Sequence, residues 1–302
     1  MPSPRRPRQR GDFFIAIKEE SEMPFKRSCG FPARACALML ALLLFASGAL
    51  AEPGTLEVAF LNAGKADAFV LLTENSAVVI DTGENSMGDA LVDFLLERGV
   101  SRVDALFITH FDKDHVGGAD ALLAALPVSA VYESACEKDN KQTRQYREAL
   151  EDQGLTPIAL QENMALEIDG VQYAISVTNL PCTGKNASND SSLVIRVQHG
   201  QTRFLFAGDA ENDRLAELLR EGGLACDVLK VPHHGSYESL SSAFFQAASP
   251  AYAVITSDEE HPEDETVLHI LSSLGTTVYL TRLGDVFCLS DGETLEFSQA
   301  SS

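Results

Sequence analysis

The stretch Thr109-His110-Phe111-Asp112-Lys113-Asp114-His115-Val116-Gly117-Gly118 follows directly on the apolar run Ala105-Leu106-Phe107-Ile108 and puts two imidazoles and two carboxylates within six residues. A buried strand ending at Ile108, with a turn behind it, presents four metal-ligating side chains at one point. Carboxylates packed this closely repel each other, and a bound dication relieves the repulsion. A solvated acidic loop is the plain alternative, and it does not account for the paired histidines. Gly117 and Gly118 are read as allowing a tight backbone turn into a helix over 119–126.

Further ligand types recur at strand ends. Gly208-Asp209 closes the run Arg203-Phe204-Leu205-Phe206, and His233-His234-Gly235-Ser236 follows Asp227-Val228-Leu229-Lys230-Val231. The ends of several strands therefore converge on one site. Mixed imidazole and carboxylate ligation suits Zn or Mn, whereas an all-oxygen set would suit Mg or Ca.

The hydrophobic pattern predicts alternating strands and helices. Strand-like runs cover 56–61, 68–72, 77–80, 105–108, 171–177, 193–197, 203–206, 227–231, 252–256, 277–280, 285–289 and 294–297. Helix-like segments cover 88–97, 119–126, 143–153, 212–220, 239–247 and 264–274. Leu215, Leu218 and Leu219 have the i, i+3, i+4 spacing of a core-facing stripe. Runs of consecutive strands between single helices suit two mixed sheets facing each other with helices outside, in the α/β class. The interval 132–160 reads as mixed helix and polar chain that covers the site, and 181–192 as a polar loop.

At this point the sequence resembles the metallo-β-lactamase superfamily, and within it the metallohydrolase domain of the ComEC competence family. The resemblance covers roughly residues 55 to 298. Its landmarks, in order, are Asn62 to Ala68, Val79-Ile80-Asp81-Thr82-Gly83, Thr109 to Gly118, Asn189 to Val194, Phe206 to Asp209, Leu229 to Ser236, His261-Pro262 and Tyr279-Leu280-Thr281. It implies an αββα sandwich of two mixed β-sheets with outer helices. The superfamily motif appears as His110-x-Asp112-x-Asp114-His115, with Asp112 replacing a histidine as ComEC-like members do. The resemblance assigns His110 and Asp112 to a first metal position, and Asp114, His115 and a histidine of the 233–234 pair, taken as His233, to a second. Asp209 is the bridging carboxylate. Asp114, Asp209 and His234 are the catalytic candidates.

The remaining candidates are less sharply marked. Asp81 is expected to orient a metal-binding histidine. Lys65, Asp67, Asn189, Ser192, Ser236 and His261 are candidates for substrate binding. The first landmark departs from the family at Asn62 and Lys65, and Lys65 is either a phosphate contact or a solvated lysine. The superfamily often carries another first-position histidine, and in that interval the chain has His199, which reads as a turn residue. The first position is thus short of a nitrogen ligand. Two divalent ions are expected, with one-metal occupancy open.

Residues 1–51 read as an N-terminal leader and signal peptide, and 52–302 as one hydrolase domain. The run 36–46 is apolar and of signal-peptide length, Lys26, Arg27 and Arg34 precede it, and Ala49-Leu50-Ala51 is a cleavage site. The expected product is secreted or extracytoplasmic, with no membrane span after cleavage. Met23 offers an alternative start. Removing 1–51 leaves 15 basic and 40 acidic residues, a formal charge of −25 against −21 for the whole chain. Such a charge opposes a non-specific grip on duplex DNA. Of the remaining cysteines, Cys136 and Cys182 flank the least regular segment and are the preferred disulfide pair, whereas Cys226 and Cys288 read as buried thiols.

The leading functional expectation is an exported phosphodiesterase or nuclease that uses metal-bound hydroxide on DNA or a nucleotide, with no stable protein partner implied. A lactam or ester hydrolase of the same fold, and a non-catalytic secreted binding protein with a degenerate metal site, remain alternatives.

Overall fold

The computed structural model describes residues 54–301, so the leader, its cleavage site and the alternative start lie outside the described residues. Within the compact unit spanning Ala51–Ser302, the chain begins with β1 (Leu56–Phe60), β2 (Ala68–Leu72), β3 (Ala77–Thr82), β4 (Ala105–Ile108), β5 (Val131–Ser134) and β6 (Ile158–Leu160). It crosses to a second sheet for β7 (Met164–Ile168), β8 (Val171–Ser176), β9 (Val194–His199), β10 (Thr202–Phe206), β11 (Val228–Lys230), β12 (Tyr252–Ile255) and β13 (Thr277–Leu280). It returns to the first sheet with β14 (Val286–Ser290) and β15 (Leu295–Gln299). The sheet orders are β15-β14-β1-β2-β3-β4-β5-β6 and β13-β12-β11-β10-β9-β8-β7. Both are mixed: β3 to β6 and β10 to β13 run parallel within their sheets, and the other pairings are antiparallel.

The central strands bury both faces, and their alternation sorts residues into three apolar layers. Leu56, Val58 and Phe60 of β1 point between the sheets with Val78, Phe107, Ile195, Phe204 and Phe206. Ala59, Val70, Val79 and Leu106 point the other way. They pack on α1 (Gly88–Glu97), α2 (Lys113–Val116), α3 (Ala119–Ala125) and α4 (Lys141–Gln153) through Leu91, Leu95, Val116, Leu122 and Leu150. Past the short α5 (Ala187–Asp190), the outer face of the second sheet is covered by α6 (Asn212–Glu221), α7 (Ser241–Ala248) and α8 (Glu265–Ser273). Leu215, Leu218, Phe244, Phe245 and Val267 do the packing. The result is the expected αββα sandwich. Phe60, Phe69 and Phe206 join the two sheets, with ring centroids 5.3–5.8 Å apart. Burying each such side chain contributes about 1.5–3 kcal/mol.

Three strands and two short helices lie where the sequence pattern is weak. Val131–Ser134 carries Glu133 inward, and the buried carboxylate is satisfied by Arg147 at 2.7 and 2.8 Å and by the Tyr146 hydroxyl at 2.8 Å. Ile158–Leu160 is an edge strand with Ile158 exposed, and Met164–Ile168 is half-exposed throughout. Neither shows clean alternation of apolar and polar residues. His199 is not a turn residue: it ends β9, buried, with Nδ1 2.8 Å from Ser290 Oγ. Cys136 and Cys182 form a disulfide, and Cys226 and Cys288 are buried and free. Among the described residues, no helix is long and apolar enough to cross a membrane.

Gly117 and Gly118 are required for a different reason from the turn expected of them. Their backbones are right-handed, at φ −62° and −86°. What excludes a side chain is space: a Cβ on Gly118 would lie 2.4 Å from Thr82 O and 2.9 Å from Gly88 Cα, and one on Gly117 2.3 Å from Lys113 O. The two glycines let the metal-motif turn lie against the 82–88 backbone. Gly118→Ala should therefore lower the unfolding free energy by about 1–3 kcal/mol in a urea titration; an unchanged midpoint would show that the 82–88 segment can give way.

Candidate metal centre

Parallel strands of both sheets end at one edge, the usual place for a site in open α/β sheets. Asp81 lies in β3, His110 follows β4, Asp209 follows β10, His233-His234 follow β11 and Thr256 follows β12. Asp67 enters from the antiparallel β2 at the same edge. The local backbone is shaped to aim these groups. Asp81, His233 and His234 adopt left-handed conformations at φ 55°, 50° and 53°, and Gly208 before Asp209 has φ 52°. For residues with a Cβ such conformations cost about 1–3 kcal/mol each and persist where the surroundings fix them. A Cβ on Gly208 would also meet Ser192 Cβ at 2.7 Å.

Ligand atoms of Asp114, His115, Asp209 and His234 lie within 4.8 Å of one another. Asp209 Oδ1 is 3.3 Å from His115 Nε2, while Oδ2 is 3.2 Å from His234 Nε2 and 4.0 Å from His110 Nε2. Asp114 Oδ2 is 3.5 Å from His234 Nε2. The carboxylate of Asp209 thus faces His115 with one oxygen and His234 and His110 with the other.

The outer partners set one tautomer for all three rings. His115 Nδ1 donates to Asp81 Oδ2 at 2.8 Å, and Asp81 is fixed by Thr109 N–H at 2.7 Å and Thr109 Oγ1–H at 2.6 Å. That hydroxyl, its proton committed, accepts from His110 Nδ1 at 3.2 Å, alongside Ser192 Oγ at 3.3 Å. His234 Nδ1 donates to Thr256 Oγ1 at 2.9 Å, and Thr256 donates onward to Asp67 Oδ1 at 2.7 Å. Every Nδ1 is therefore a donor. The Nε2 atoms of His110, His115 and His234 and Oδ1 of Asp209 are buried with no hydrogen-bond partner. Buried ring nitrogens and a carboxylate converging on one point without a well-formed hydrogen bond call for protons or a cation between them, so this ligand set fits a bound divalent metal.

The placement of the sequence candidates is mixed. His110, Asp114, His115, Asp209 and His234 face the cluster. His234 takes the place in the cluster expected of His233, which lies to one side with Nδ1 3.8 Å from Glu211 Oε1 and 3.9 Å from Glu238 Oε1; two consecutive left-handed residues aim the neighbouring side chains in different directions. Asp112 stands apart, bonded to Lys138 Nζ at 2.7 Å and to the Ser188 hydroxyl. Asp67 is fully buried beneath the histidines, so it supports the site and cannot contact substrate. Ser192 is likewise buried and accepts the Asp209 N–H at 3.0 Å. Asn189 binds Glu211 at 2.7 Å, and Ser236 is half-buried, its N–H on His233 O. Lys65 and His261 lie on the rim, their backbone N–H groups both on the Asp258 carboxylate.

Sequence reasoning missed Lys230, Thr256, Lys138 and Ser188. Lys230 is fully buried; its ammonium pairs with Asp67, donates to Gly208 O at 3.2 Å and lies 3.7 Å from Asp209. A lysine inside the apolar run 227–231 was the available signal.

A family model described as the Metallo-beta-lactamase superfamily matches residues 61–256. The chain belongs to the metallo-β-lactamase superfamily. Within this superfamily it is similar to ComE operon protein 3 of Bacillus subtilis, at 28% identity over 78% of this chain and 32% of the relative. It is similar too to competence protein ComA of Neisseria gonorrhoeae, at 31% identity over 65% of this chain and 26% of the relative. The chain therefore spans about a third or less of the length of the curated relatives it matches. The metallo-β-lactamase fold protein YhfI of Bacillus subtilis shares the fold, with a TM-score of 0.50 at 10% identity over 74% of this chain and 96% of that one.

The electrostatics of this superfamily site without a cation are those of a proton store. Burial alone would push His115 and His234 down. Asp209, with Asp81 and Asp67 behind it, outweighs that for His115 and holds it well above the usual imidazole value; Asp209 and Asp67 raise His234 to about 10. Burial would raise Asp209 and Asp114, yet the facing imidazoles hold both below the usual carboxylate range. Burial and the neighbouring His115 lower His110 to about 3. For His234 the raised value means that its ion-pair stabilisation is complete below 6.5 and is lost as pH rises through about 10. A metal binding through Nε2 must displace these protons. Net proton release on Zn or Mn binding is expected near neutral pH, with affinity rising over that window. Calorimetry in buffers of different ionisation enthalpy checks this, and a buffer-independent enthalpy would contradict it.

Proposed function

We propose that the chain is a metal-dependent phosphodiesterase or nuclease domain that works outside the cytoplasm with two divalent ions, Zn or Mn. The observation that supports the reading is the convergence of three partnerless Nε2 atoms on the carboxylate of Asp209. Asp114, His115, His234 and Asp209 would hold one ion, and His110, Asp112 and Asp209 the other. When bound, such ions supply Lewis acidity that polarises a phosphoryl oxygen and makes an attacking water acidic near neutral pH.

The chain's own groups do the rest. Asp114, 20% exposed and 3.5 Å from His234, is placed to accept a proton from the attacking water and aim it. His233, half-buried beside Glu211 and Glu238, is placed to hydrogen-bond the substrate or protonate its leaving oxygen. Lys65 and His261 on the rim suit phosphate oxygens. The name of the Neisseria gonorrhoeae relative, a competence protein, favours a nucleic acid or nucleotide. Export is supported by the leader composition and by the disulfide.

Hydrolysis of bis(p-nitrophenyl) phosphate by residues 52–302 tests the reading. Turnover should be abolished by a chelator and restored by Zn or Mn. Asp209→Asn should lose more than the about 10–100-fold typical of an outer partner, with the fold retained. His234→Gln should lose metal, whereas His233→Gln should keep metal and lose turnover. Chelator-resistant cleavage, or cleavage that survives Asp209→Asn, would sink it.

A further inference from the structure

Beside the Asp209 cluster lies a second convergence of ligand atoms that shares no residue with it. Glu211 precedes α6, His233 follows β11 and Glu238 precedes α7, and one atom of each lies within 4.8 Å of the others. His233 Nδ1 faces Glu211 Oε1 at 3.8 Å and Glu238 Oε1 at 3.9 Å. Both distances are too long for a hydrogen bond, and this Nδ1 is buried with no partner. A buried ring nitrogen left between two carboxylates calls for a group that joins them.

The two carboxylates are oriented but not neutralised. The side chains of Glu211 and Glu238 are only 13% and 16% exposed. Asn189 Nδ2 donates to Glu211 Oε1 at 2.7 Å, and Asn212 Nδ2 donates to Glu238 Oε2. Asn212 is itself fixed, its Oδ1 accepting from Ser239 Oγ at 2.8 Å and from the Leu240 N–H at 3.0 Å. Asp190 adds a third carboxylate nearby, accepting the Glu211 N–H at 3.1 Å. Among the described residues, neither glutamate pairs with a lysine or arginine; the basic group facing both is His233. Burial, followed by repulsion from Glu211 and Asp190, pushes the Glu238 carboxyl up. Carboxylates that ligate a metal are held by outer hydrogen bonds of this kind.

We propose that Glu211, His233 and Glu238 form a further divalent-cation site, for Zn or Mn, distinct from the Asp209 cluster. One imidazole and two carboxylates suit these ions. An ion about 2.0–2.2 Å from each ligand fits between atoms 3.8 and 3.9 Å apart. Three protein ligands leave further positions for water, and the 22% exposure of the His233 side chain keeps the site within reach of solvent. Binding at Nδ1 leaves the ring proton on Nε2, so the ion fixes His233 as a hydrogen-bond donor. Only the use of that donor toward a substrate rests on the proposed function; the site itself does not.

Zn²⁺ binding by the protein and its variants, read by equilibrium dialysis with elemental analysis and by ¹⁵N spectra of the histidine rings, tests this. Glu211→Gln and Glu238→Gln should each bind one ion at least about 100-fold more weakly, with the ions of the Asp209 cluster unchanged. In the unsubstituted protein, Zn²⁺ should shift the His233 Nδ1 resonance to a metal-bound position while Nε2 keeps its proton. His115→Gln/His234→Gln, which dismantles the Asp209 cluster, should retain one ion, and adding Glu238→Gln should release it. If circular dichroism shows that this variant does not fold, the ring spectra of Glu238→Gln replace it: His233 should lose its response to Zn²⁺ while His115 and His234 keep theirs. Unchanged stoichiometry and affinity in Glu238→Gln, or a His233 Nδ1 that does not respond to Zn²⁺, would overturn the proposal and leave the metal-centre reading standing. A single ion that Glu238→Gln releases and His115→Gln/His234→Gln keeps would support the proposal and overturn the metal-centre reading instead. No bound ion would overturn both.

Discussion

The Asp209 carboxylate lies 3.3 Å from His115 Nε2 and 3.2 Å from His234 Nε2, with its side chain 5% exposed. An isolated ionised carboxylate removed from water costs several kcal/mol even after relaxation. The surrounding structure can be understood as the arrangement that lowers this cost. Three imidazoles face it, the buried Lys230 stands behind it, and Ser192 fixes its backbone N–H. Protons on His115 and His234 can balance the charge, and a divalent cation balances it better, because the partnerless Nε2 atoms then gain ligation. The same burial that makes the site costly to fold makes it selective for a strong cation.

That arrangement demands rigidity. The ligands come from both sheets, so the three phenylalanines that join the sheets also fix the distance between His115 on one side and His234 and Asp209 on the other. Asp67 ties the sheets again by a polar route, since it enters from β2 and accepts from Thr256 and Lys230 of the second sheet. Left-handed backbone at Asp81, His233 and His234 adds strain that this packing must overcome. Strain gathers where side chains must be aimed at a point, and the regular strands behind the site absorb it.

Much of this was legible in the sequence. Long apolar strands and the amphipathic stripe of α6 showed themselves by periodicity, because burial against one layer leaves a repeating pattern. The motif histidines and aspartates showed themselves because several ligand types fell at strand ends. What the sequence hid was set by geometry with no periodic trace. The choice between His233 and His234 depends on two φ angles, which the sequence His-His-Gly does not spell out. The burial of Asp67 depends on Lys230 and Thr256, more than 160 residues further along the chain. Strand β5 was hidden because Glu133 reads as polar until Arg147 and Tyr146 are seen to satisfy it.

The candidate ligands are unequally held for a reason visible in where they sit. Asp114, His115, Asp209 and His234 stand on strand ends and α2, so the geometry of their cluster follows from the fold. Asp112 stands outside that cluster and is held by the side chains of Lys138 and Ser188. A carboxylate can swing where a buried imidazole with a fixed Nδ1 partner cannot. The fold thus sets a rigidly held cluster around Asp209 beside a motif carboxylate with more freedom. In a chain with a formal charge of −21, approach of a polyanion would have to rely on local cations such as Lys65 and Lys138 rather than on the long-range field.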